Sequence, residues 1–166
     1  MNARDPRVCT RYQSPLGTML LAATDRGLAG VWFEGQRHAP DSEGWHEDAG
    51  HPVLRTAVAQ LGAYFAGERT HFDLPLDLQA GTPFQQSVWS ALLAIPPGAT
   101  TSYAQLARQL GKPQAPRAVG AAVGRNPVSI VVPCHRVLGT GGALTGYAGG
   151  LERKTALLRL EGALSH

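Results

Sequence analysis

The stretch Ile130-Val131-Val132-Pro133-Cys134-His135-Arg136-Val137 decides how the second half of this chain is organised. Its first three β-branched residues predict a buried strand. The proline ends that strand, because it has no N–H to give to a sheet ladder. A thiol then stands where the chain leaves the core, beside a histidine and an arginine that can favour its thiolate. The stretch predicts a reactive cysteine, and a buried structural cysteine is the alternative.

Composition favours a folded protein with a true core. The chain has 166 residues, 43% of them hydrophobic, and a mean hydropathy of −0.12. This length suits one ordinary domain or two small ones. No apolar run approaches the ~18 residues of a membrane helix, so we expect no membrane association. Met1–Pro6 contains no apolar segment typical of a signal peptide, so none is expected.

Cysteine and histidine usage argues against disulfides and metals. Cys9 and Cys134 lie far apart in different settings, so we expect no disulfide and a cytoplasmic protein. Cys9 lies within a predicted strand, where packing is its expected role. The histidines before residue 80 are scattered among turn-like residues. We therefore expect no metal site and no cofactor.

Charge is divided unevenly along the chain. Residues 101–166 hold eight Lys or Arg and two acidic residues, a net charge of +6, whereas residues 1–100 have a net charge of −3. A basic half in such a chain favours a polyanionic partner. A solvated basic surface without a partner is the alternative.

The first half predicts a small α/β domain over residues 1–80. Alternating residues over 7–34, interrupted by turns near 14–17 and 25–27, predict a three-stranded antiparallel sheet. A long polar loop follows, and an apolar stripe predicts a helix from about Pro52 to Phe65. Residues 72–78 alternate and predict a short or edge strand.

The composition changes at Ala80-Gly81, where we place the domain boundary. Thr82, Pro83 and Gln85 predict a helix start with a capping box. Ser102, with a glutamine three residues later, predicts a second helix start.

A helix-turn-helix is predicted next. The second helix and a third that opens at Pro116 are joined by a short turn containing Gly111. The third helix, residues 117–123, carries one arginine and no Asn, Gln or Lys that could read base edges. Its small residues favour close contact with the DNA backbone and little sequence readout. An ordinary helical hairpin is the alternative.

The element order predicts an α+β fold. A small antiparallel sheet with a helix is followed by a mostly helical, winged-helix-like domain that contains the helix-turn-helix. In that second part, a tight turn at 139–142, a wing-like loop at 144–150 and a last helix at about 151–160 follow the cysteine.

Several segments in this order closely resemble the O6-alkylguanine-DNA alkyltransferases, also called methylated-DNA–protein-cysteine methyltransferases. The match runs nearly without gaps over residues 81–162. The resemblance implies a ribonuclease H-like N-terminal domain and a DNA-binding, alkyl-acceptor domain over residues 81–166. The matching segments are Gly81-Thr82-Pro83-Phe84-Gln85, Ile95-Pro96-Pro97-Gly98, Ser102-Tyr103, Arg117-Ala118-Val119-Gly120, Gly124-Arg125-Asn126-Pro127, Pro133-Cys134-His135-Arg136-Val137, Gly146-Tyr147-Ala148-Gly149-Gly150-Leu151 and Leu158-Arg159-Leu160-Glu161-Gly162.

The resemblance implies a DNA repair protein that moves an alkyl group from guanine O6 to its own Cys134, once. His135 would be the base, acting through a water, and Glu161 would orient and charge it. Without the resemblance, the residues alone predict that Glu161 is an exposed surface carboxylate. Tyr103 would serve the base and its phosphate, with a plain core aromatic as the alternative. Asn126 would tie the recognition helix to the cysteine strand.

The resemblance also implies how the base is reached and held. Arg117 would fill the space left when the nucleotide is flipped out of the stack. The other implied DNA contacts are Ser102, Ala118, Gly120 and Arg125. The implied base pocket consists of the N–H groups of Val137 and Ala148, of Tyr147 as a wall, and of Lys154.

The implied partner is double-stranded DNA containing O6-alkylguanine, bound by a monomer that would be associated with the nucleoid when on DNA. The range of alkyl groups, activity on O4-alkylthymine and cooperativity on DNA stay open. The chain lacks a Cys/His set like the zinc site of some animal members, and Ala148 stands where some members have serine. Two other classes remain: a non-catalytic lesion-binding protein and a thiol hydrolase. Cys134 argues against the first, since a related lesion-binding group has tryptophan there.

Overall fold

The computed structural model describes residues 7–164, which form two compact units that meet in sequence at Ala80 and Gly81. The predicted α+β fold class is confirmed. The residues on which the signal-peptide expectation rests lie outside the described range. Within the described range, no helix is both long enough and apolar enough to cross a membrane.

The N-terminal unit is a four-stranded sheet with one helix. Its strands are β1 (Val8–Ser14), β2 (Gly17–Thr24), β3 (Gly27–Phe33) and β4 (His46–Glu47), and its helix is α1 (Pro52–Phe65). The sheet order is β3-β2-β1-β4. The first three strands pair antiparallel, as predicted, whereas β4 runs parallel to β1 inside the segment predicted to be a loop.

Apolar residues explain where this unit has its core. Every residue of β3 is buried, and α1 buries a stripe consisting of Leu54, Ala57, Leu61 and Tyr64. The strand predicted over residues 72–78 is wrong, because only one isolated bridge, Leu28 to Leu76, forms there.

The C-terminal unit is mostly helical. Its elements are α2 (Pro83–Leu92), β5 (Thr101–Ser102), α3 (Tyr103–Gln109), α4 (Pro116–Gly124), a 3₁₀ turn (Cys134–Arg136), β6 (Val137–Leu138), a second 3₁₀ turn (Thr140–Gly142) and α5 (Leu151–Leu160). Strands β5 and β6 form a two-residue parallel pair.

Helix starts follow the predicted capping chemistry. The Thr82 side chain accepts a hydrogen bond from Gln85 N, and the Gln85 side chain accepts one from Thr82 N, so the predicted capping box is present. The Ser102 side chain caps α3 by accepting from Gln105 N. Gly111 ends the turn of α3 at φ +72°, a backbone region that favours glycine.

Helix α4 packs against both α3 and α2. Trp89 of α2 is buried, and its Nε1 donates a 2.8 Å hydrogen bond to the carbonyl of Ala122 in α4. A Cβ at Gly81 would lie 2.3 Å from the Trp89 ring, so this position requires glycine unless the indole moves. Trp89 therefore links α2 to the second helix of the helix-turn-helix. This contact was not predicted from the sequence.

The strand predicted at Ile130–Val132 is wrong. These residues are buried, as predicted, but they lie in a turn between Ser129 and Val132, which form an isolated bridge. Ile130 has φ +71°, which is strained for a β-branched residue. The apolar pattern predicted burial correctly, whereas the backbone reversal carried no local turn signal.

Candidate active site and DNA-facing helix

Cys134 begins a 3₁₀ turn and is 5% exposed. The buried Asn126 amide fixes the preceding turn. Asn126 Nδ2 donates to the Val132 carbonyl over 2.8 Å, and Asn126 Oδ1 accepts from Val128 N over 3.0 Å. Because Asn126 directly follows the C-cap of α4, its side chain joins the end of that helix to the turn that carries the thiol.

His135 and Glu161 form a buried pair. His135 Nε2 lies 2.7 Å from Glu161 Oε2, and their side chains are 0% and 1% exposed. Glu161 caps the C-terminal end of α5. The alternative of an exposed surface carboxylate at Glu161 is therefore wrong.

Cys134 and His135 follow each other in the 3₁₀ turn, and the second ring nitrogen of His135 faces no carboxylate of the described residues. Ring atom Nδ1 of His135 is buried and has no hydrogen-bond partner among the described protein atoms. Because Nε2 meets a carboxylate, the neutral ring carries its proton at Nε2 and presents a lone pair at Nδ1.

Burial keeps both groups neutral at rest. It raises the pKa of the Cys134 thiol to about 11, although a hydrogen bond from Asn126 and the charge of Lys154 oppose the shift. Burial also lowers the pKa of His135, against the opposing effect of Glu161. The expected help for the thiolate from Arg136 is absent, because that guanidinium is bound to Glu161.

Lys154 and Tyr103 hold the loop after the second 3₁₀ turn. Lys154 is fully buried, and its Nζ donates to the carbonyls of Val137, Thr145 and Gly146 over 2.6, 2.7 and 3.3 Å. The Tyr103 hydroxyl donates to the same Thr145 and Gly146 carbonyls, over 3.2 Å each. Burial lowers the pKa of Lys154 to about 8. Tyr103 is half-buried, so it is not a plain core aromatic.

The other predicted pocket residues lie around the same turn and loop. Tyr147 is buried, and burial raises the pKa of its hydroxyl well above the ordinary value. That oxygen lacks a well-formed hydrogen bond among the described atoms, although the side chain of Ser129 partly opposes the rise in its pKa. Val137 N donates to the Cys134 carbonyl, so it is already engaged at rest. Ala148 is half-buried in the loop.

The exposed face of helix α4 and its C-cap consists of arginines and small residues. Arg117, Ala118, Ala121 and Arg125 are exposed, whereas the opposite face is buried. Gly120 faces the Tyr103 ring, where an added Cβ would make an ordinary contact of 3.5 Å. The predicted DNA contacts of the helix-turn-helix therefore lie on accessible surface or beside Tyr103.

Sequence reasoning missed the role of Arg136. It forms a two-pronged contact with Glu161 and a further hydrogen bond to a backbone carbonyl. The available signal was the scarcity of acids: Glu161 is one of two among eight basic residues, so a cationic partner was to be expected. Among the described residues, no cluster of three or more His, Cys, Asp or Glu could hold a metal.

Two family models match almost the whole chain. The model described as 6-O-methylguanine DNA methyltransferase, DNA binding domain, matches residues 83–163. The model for the ribonuclease-like domain of the same family matches residues 8–78. Together they cover both compact units.

Individual relatives agree with this match. The methylated-DNA–protein-cysteine methyltransferase of Mycolicibacterium paratuberculosis is 53% identical over 148 residues, covering 89% of this chain and 88% of the relative. The enzyme of the same name from Methanosarcina acetivorans is 48% identical over 153 residues, covering 92% and 96%. The crystal structure of Mycobacterium tuberculosis OGT in complex with DNA aligns at 48% identity with a TM-score of 0.84, covering 95% and 92%. The chain belongs to the 6-O-methylguanine DNA methyltransferase family, as its motifs suggested.

Proposed function

We propose that this protein repairs DNA by transferring the alkyl group of O6-alkylguanine to its own Cys134. The relatives named above are methylated-DNA–protein-cysteine methyltransferases, and one solved relative was crystallised with DNA. The observation that carries the proposal is the buried His135–Glu161 pair immediately after a buried thiol, where His135 Nδ1 has no hydrogen-bond partner among residues 7–164. This arrangement can accept the proton that the thiol must lose.

The two halves of the chain divide the work. Residues 81–166 form the DNA-binding and alkyl-acceptor domain, since the thiol, its proton acceptor and the helix-turn-helix all belong to that unit. Residues 1–80 form an N-terminal α/β domain. Its described residues supply none of the groups that the reaction uses.

Proton transfer and alkyl transfer occur together. A thiol with a pKa of about 11 is almost entirely protonated near neutral pH, so the thiolate arises only as His135 takes the proton through a bridging water. Glu161 stabilises the imidazolium that results. The sulfur–carbon bond forms as the carbon–O6 bond breaks, and the electron pair of the broken bond goes to guanine. Guanine then takes up one proton, which balances the proton lost by the thiol.

The departing guanine needs hydrogen bonds as its charge develops. Tyr103 and the Ala148 N–H donate to the base, and Tyr147 forms a wall of the pocket. Val137 N also serves the base, and it must share or release its contact with the Cys134 carbonyl to do so. Lys154 lies beneath the loop and reduces the cost of the thiolate by its charge.

The target carbon cannot be reached inside stacked DNA, so the nucleotide is flipped out. Arg117 occupies the space that it leaves, while Ala118 and Gly120 allow the α4 backbone to approach the duplex. Ser102 and Arg125 contact the phosphate backbone near either end of the helix pair. These contacts position the protein and carry little sequence information.

The protein acts as a monomer and without a cofactor, and each molecule reacts once. A thioether at Cys134 has no leaving group that water could displace under mild conditions, so the acceptor is consumed. Both cysteines are free, which suits the reducing cytoplasm, where the thiol stays available.

The test is incubation with duplex DNA carrying radiolabelled O6-methylguanine, followed by intact-mass measurement. We expect one methyl group per chain, at Cys134. Cys134→Ser removes the acceptor and should abolish transfer while lesion-DNA binding persists. Repeated turnover would indicate the thiol hydrolase instead. Binding without any label on the protein would indicate the lesion-binding class.

A further inference from the structure

The Arg136 side chain is enclosed at the active site but does not point to the thiol. It is 5% exposed. Its Nε donates to Glu161 Oε1 over 2.8 Å, and its Nη2 donates to Glu161 Oε2 over 2.9 Å. Its Nη1 donates to the Ile95 carbonyl over 2.5 Å. The guanidinium therefore joins the carboxylate at the end of α5 to the segment after α2.

Glu161 Oε2 serves two donors. It accepts from Arg136 Nη2 and meets His135 Nε2 at 2.7 Å. A two-pronged guanidinium contact is one of the strong, charge-assisted contacts that a carboxylate makes in proteins. His135 therefore meets a carboxylate whose charge is balanced by the guanidinium. Without the arginine, the carboxylate would lose this balancing charge and would favour the protonated form of the imidazole.

We infer that Arg136 is a positioning residue for the alkyl transfer: it neutralises Glu161 and thereby leaves His135 an uncharged base with its lone pair at Nδ1. The inference rests on the proposed function, in which His135 accepts the thiol proton. Arg136 acts only through Glu161 and His135 and touches no reacting atom. A protonated His135 could not accept that proton, so the arginine keeps the base ready at neutral pH.

The charged groups around His135 agree with this assignment. Glu161 at the end of α5 raises the pKa of His135, whereas Arg136 on the same turn and Lys154 on α5 lower it, in addition to burial. Among the described residues, the other titratable or charged groups at this site include Cys134, Tyr103, Tyr147 and Arg153. Arg136 acts on Glu161 through two hydrogen bonds of its guanidinium, whereas the ammonium group of Lys154 donates to backbone carbonyls.

The experiment measures the rate of alkyl transfer from free O6-benzylguanine against pH, so that DNA binding plays no part. In Arg136→Met the unbalanced Glu161 charge should raise the pKa of His135. The acidic limb of the profile should then move to higher pH by about one unit or more. Arg136→Lys keeps the charge, so it should slow the reaction while leaving the limb near its original pH. The double variant Arg136→Met/Glu161→Gln removes both charges and should abolish the upward shift.

Exposed Arg159, on α5, provides the matched control, and Arg159→Met should change neither rate nor limb. Nitrogen-15 NMR of His135 reports the same charge without any chemistry. In the unaltered protein at pH 7 it should show a neutral ring protonated at Nε2. A limb that stays in place in Arg136→Met would overturn the inference, and so would a doubly protonated ring in the unaltered protein. If the unaltered protein takes no methyl group from O6-methylguanine in duplex DNA onto Cys134, the proposed function is overturned, whereas the NMR measurement of His135 still tests the effect of Arg136.

Discussion

Single residues at this site are defined by burial more than by their sequence neighbours. Cys134 is almost fully enclosed, and its pKa of about 11 means that it rests as a thiol. A neutral thiol beside a neutral imidazole avoids the cost of buried charge in the resting protein. Reactivity then depends on substrate, because only substrate turns proton transfer into a productive step.

The pH dependence of stability tests this resting state. The folded thiol ionises near pH 11, whereas its ordinary pKa is 9.0, so the folded protein binds more protons between these values. Stability therefore falls as pH rises through this window, by roughly 2–3 kcal/mol for a two-unit shift. Cys134→Ser has no such thiol. We expect the denaturant stability of the unaltered protein, relative to Cys134→Ser, to decrease above pH 9.

Both proteins keep Lys154 and Cys9, so their own titrations largely cancel in that difference. The comparison below pH 8 supplies the baseline, because neither the folded nor the unfolded thiol ionises there to a significant extent. A stability difference that stays flat from pH 8 to 10.5 would mean that Cys134 ionises as easily in the fold as in the unfolded chain.

Residue types predicted part of this site. The motif around Cys134 identified the thiol and His135 as candidates, whereas Glu161 was a candidate only through the family resemblance. Local pattern could not predict the burial of Glu161, because its partner Arg136 lies 25 residues earlier in the chain. Ile130 shows the same limit. Its φ of +71° has no signature in a run of β-branched residues.

Among the elements, helix α4 has an exposed face that the proposed function assigns to DNA, and this face is distinct from the turn that carries Cys134. Its exposed face consists of two arginines and small residues, and its buried face packs on α2 and α3. The thiol lies beyond the C-terminal end of α4 and is coupled to it by Asn126. Changes on the exposed face should therefore alter DNA handling and leave the reaction of a free base unchanged.

Arg117→Ala tests this separation. Loss of the side chain should slow repair of O6-methylguanine in duplex DNA by ~10-fold or more, since flipping costs a few kcal/mol that an inserted side chain helps to recover. Reaction with free O6-benzylguanine should change by less than about 2-fold, because that substrate needs no flipping. Both rates are measured by mass spectrometry of the alkylated protein.

Arg55→Ala, on the exposed side of α1, is the control for loss of one surface arginine. It should leave both rates unchanged. Equal slowing of the two substrates by Arg117→Ala would place Arg117 in the chemistry, and an unchanged duplex rate would remove it from flipping.

For the whole molecule, the difference in net charge between the two halves of the chain is smaller at the surface than a count over the full sequence indicates. Of the eight basic residues after position 100, Arg136 and Lys154 are buried and engaged by protein groups. The other six are exposed or half-buried and set an upper limit on the number of phosphate contacts from this half, with no contact assigned to Arg159: Arg108, Lys112, Arg117, Arg125, Arg153 and Arg159. Because Arg136 and Lys154 bind groups of the protein itself, they are not available to contact phosphates.

The salt dependence of DNA binding measures how many phosphates these basic residues neutralise. Each neutralised phosphate contributes about −0.9 to the slope of log K against log salt, so six give a slope no steeper than about −5. Fluorescence anisotropy with a labelled duplex at several salt concentrations measures it. A clearly steeper slope would require basic residues of the N-terminal half to contact phosphate as well, and variants at Arg37 and Arg55 would then locate them.

At this scale the order of elements was largely predictable. Capping residues fixed the starts of α2 and α3, and the apolar stripe of α1 placed that helix between Pro52 and Phe65. Pairings between distant segments were not predictable. The parallel match of β4 to β1 joins residues nearly 40 positions apart through only two residues, too few for any sequence period.

The hydrogen bonds of Tyr103 and Lys154 to the Thr145 and Gly146 carbonyls have one more consequence. Under the proposed function, the hydroxyl that must serve a guanine is already occupied by the protein's own loop. The loop therefore behaves as a tethered competitive inhibitor. Apparent affinity for a flipped base is reduced by the fraction of molecules in which the loop is closed. Tyr103→Phe lacks the hydroxyl, so it loses the hydrogen bonds to the loop. The same substitution also removes the group that would donate a hydrogen bond to the base.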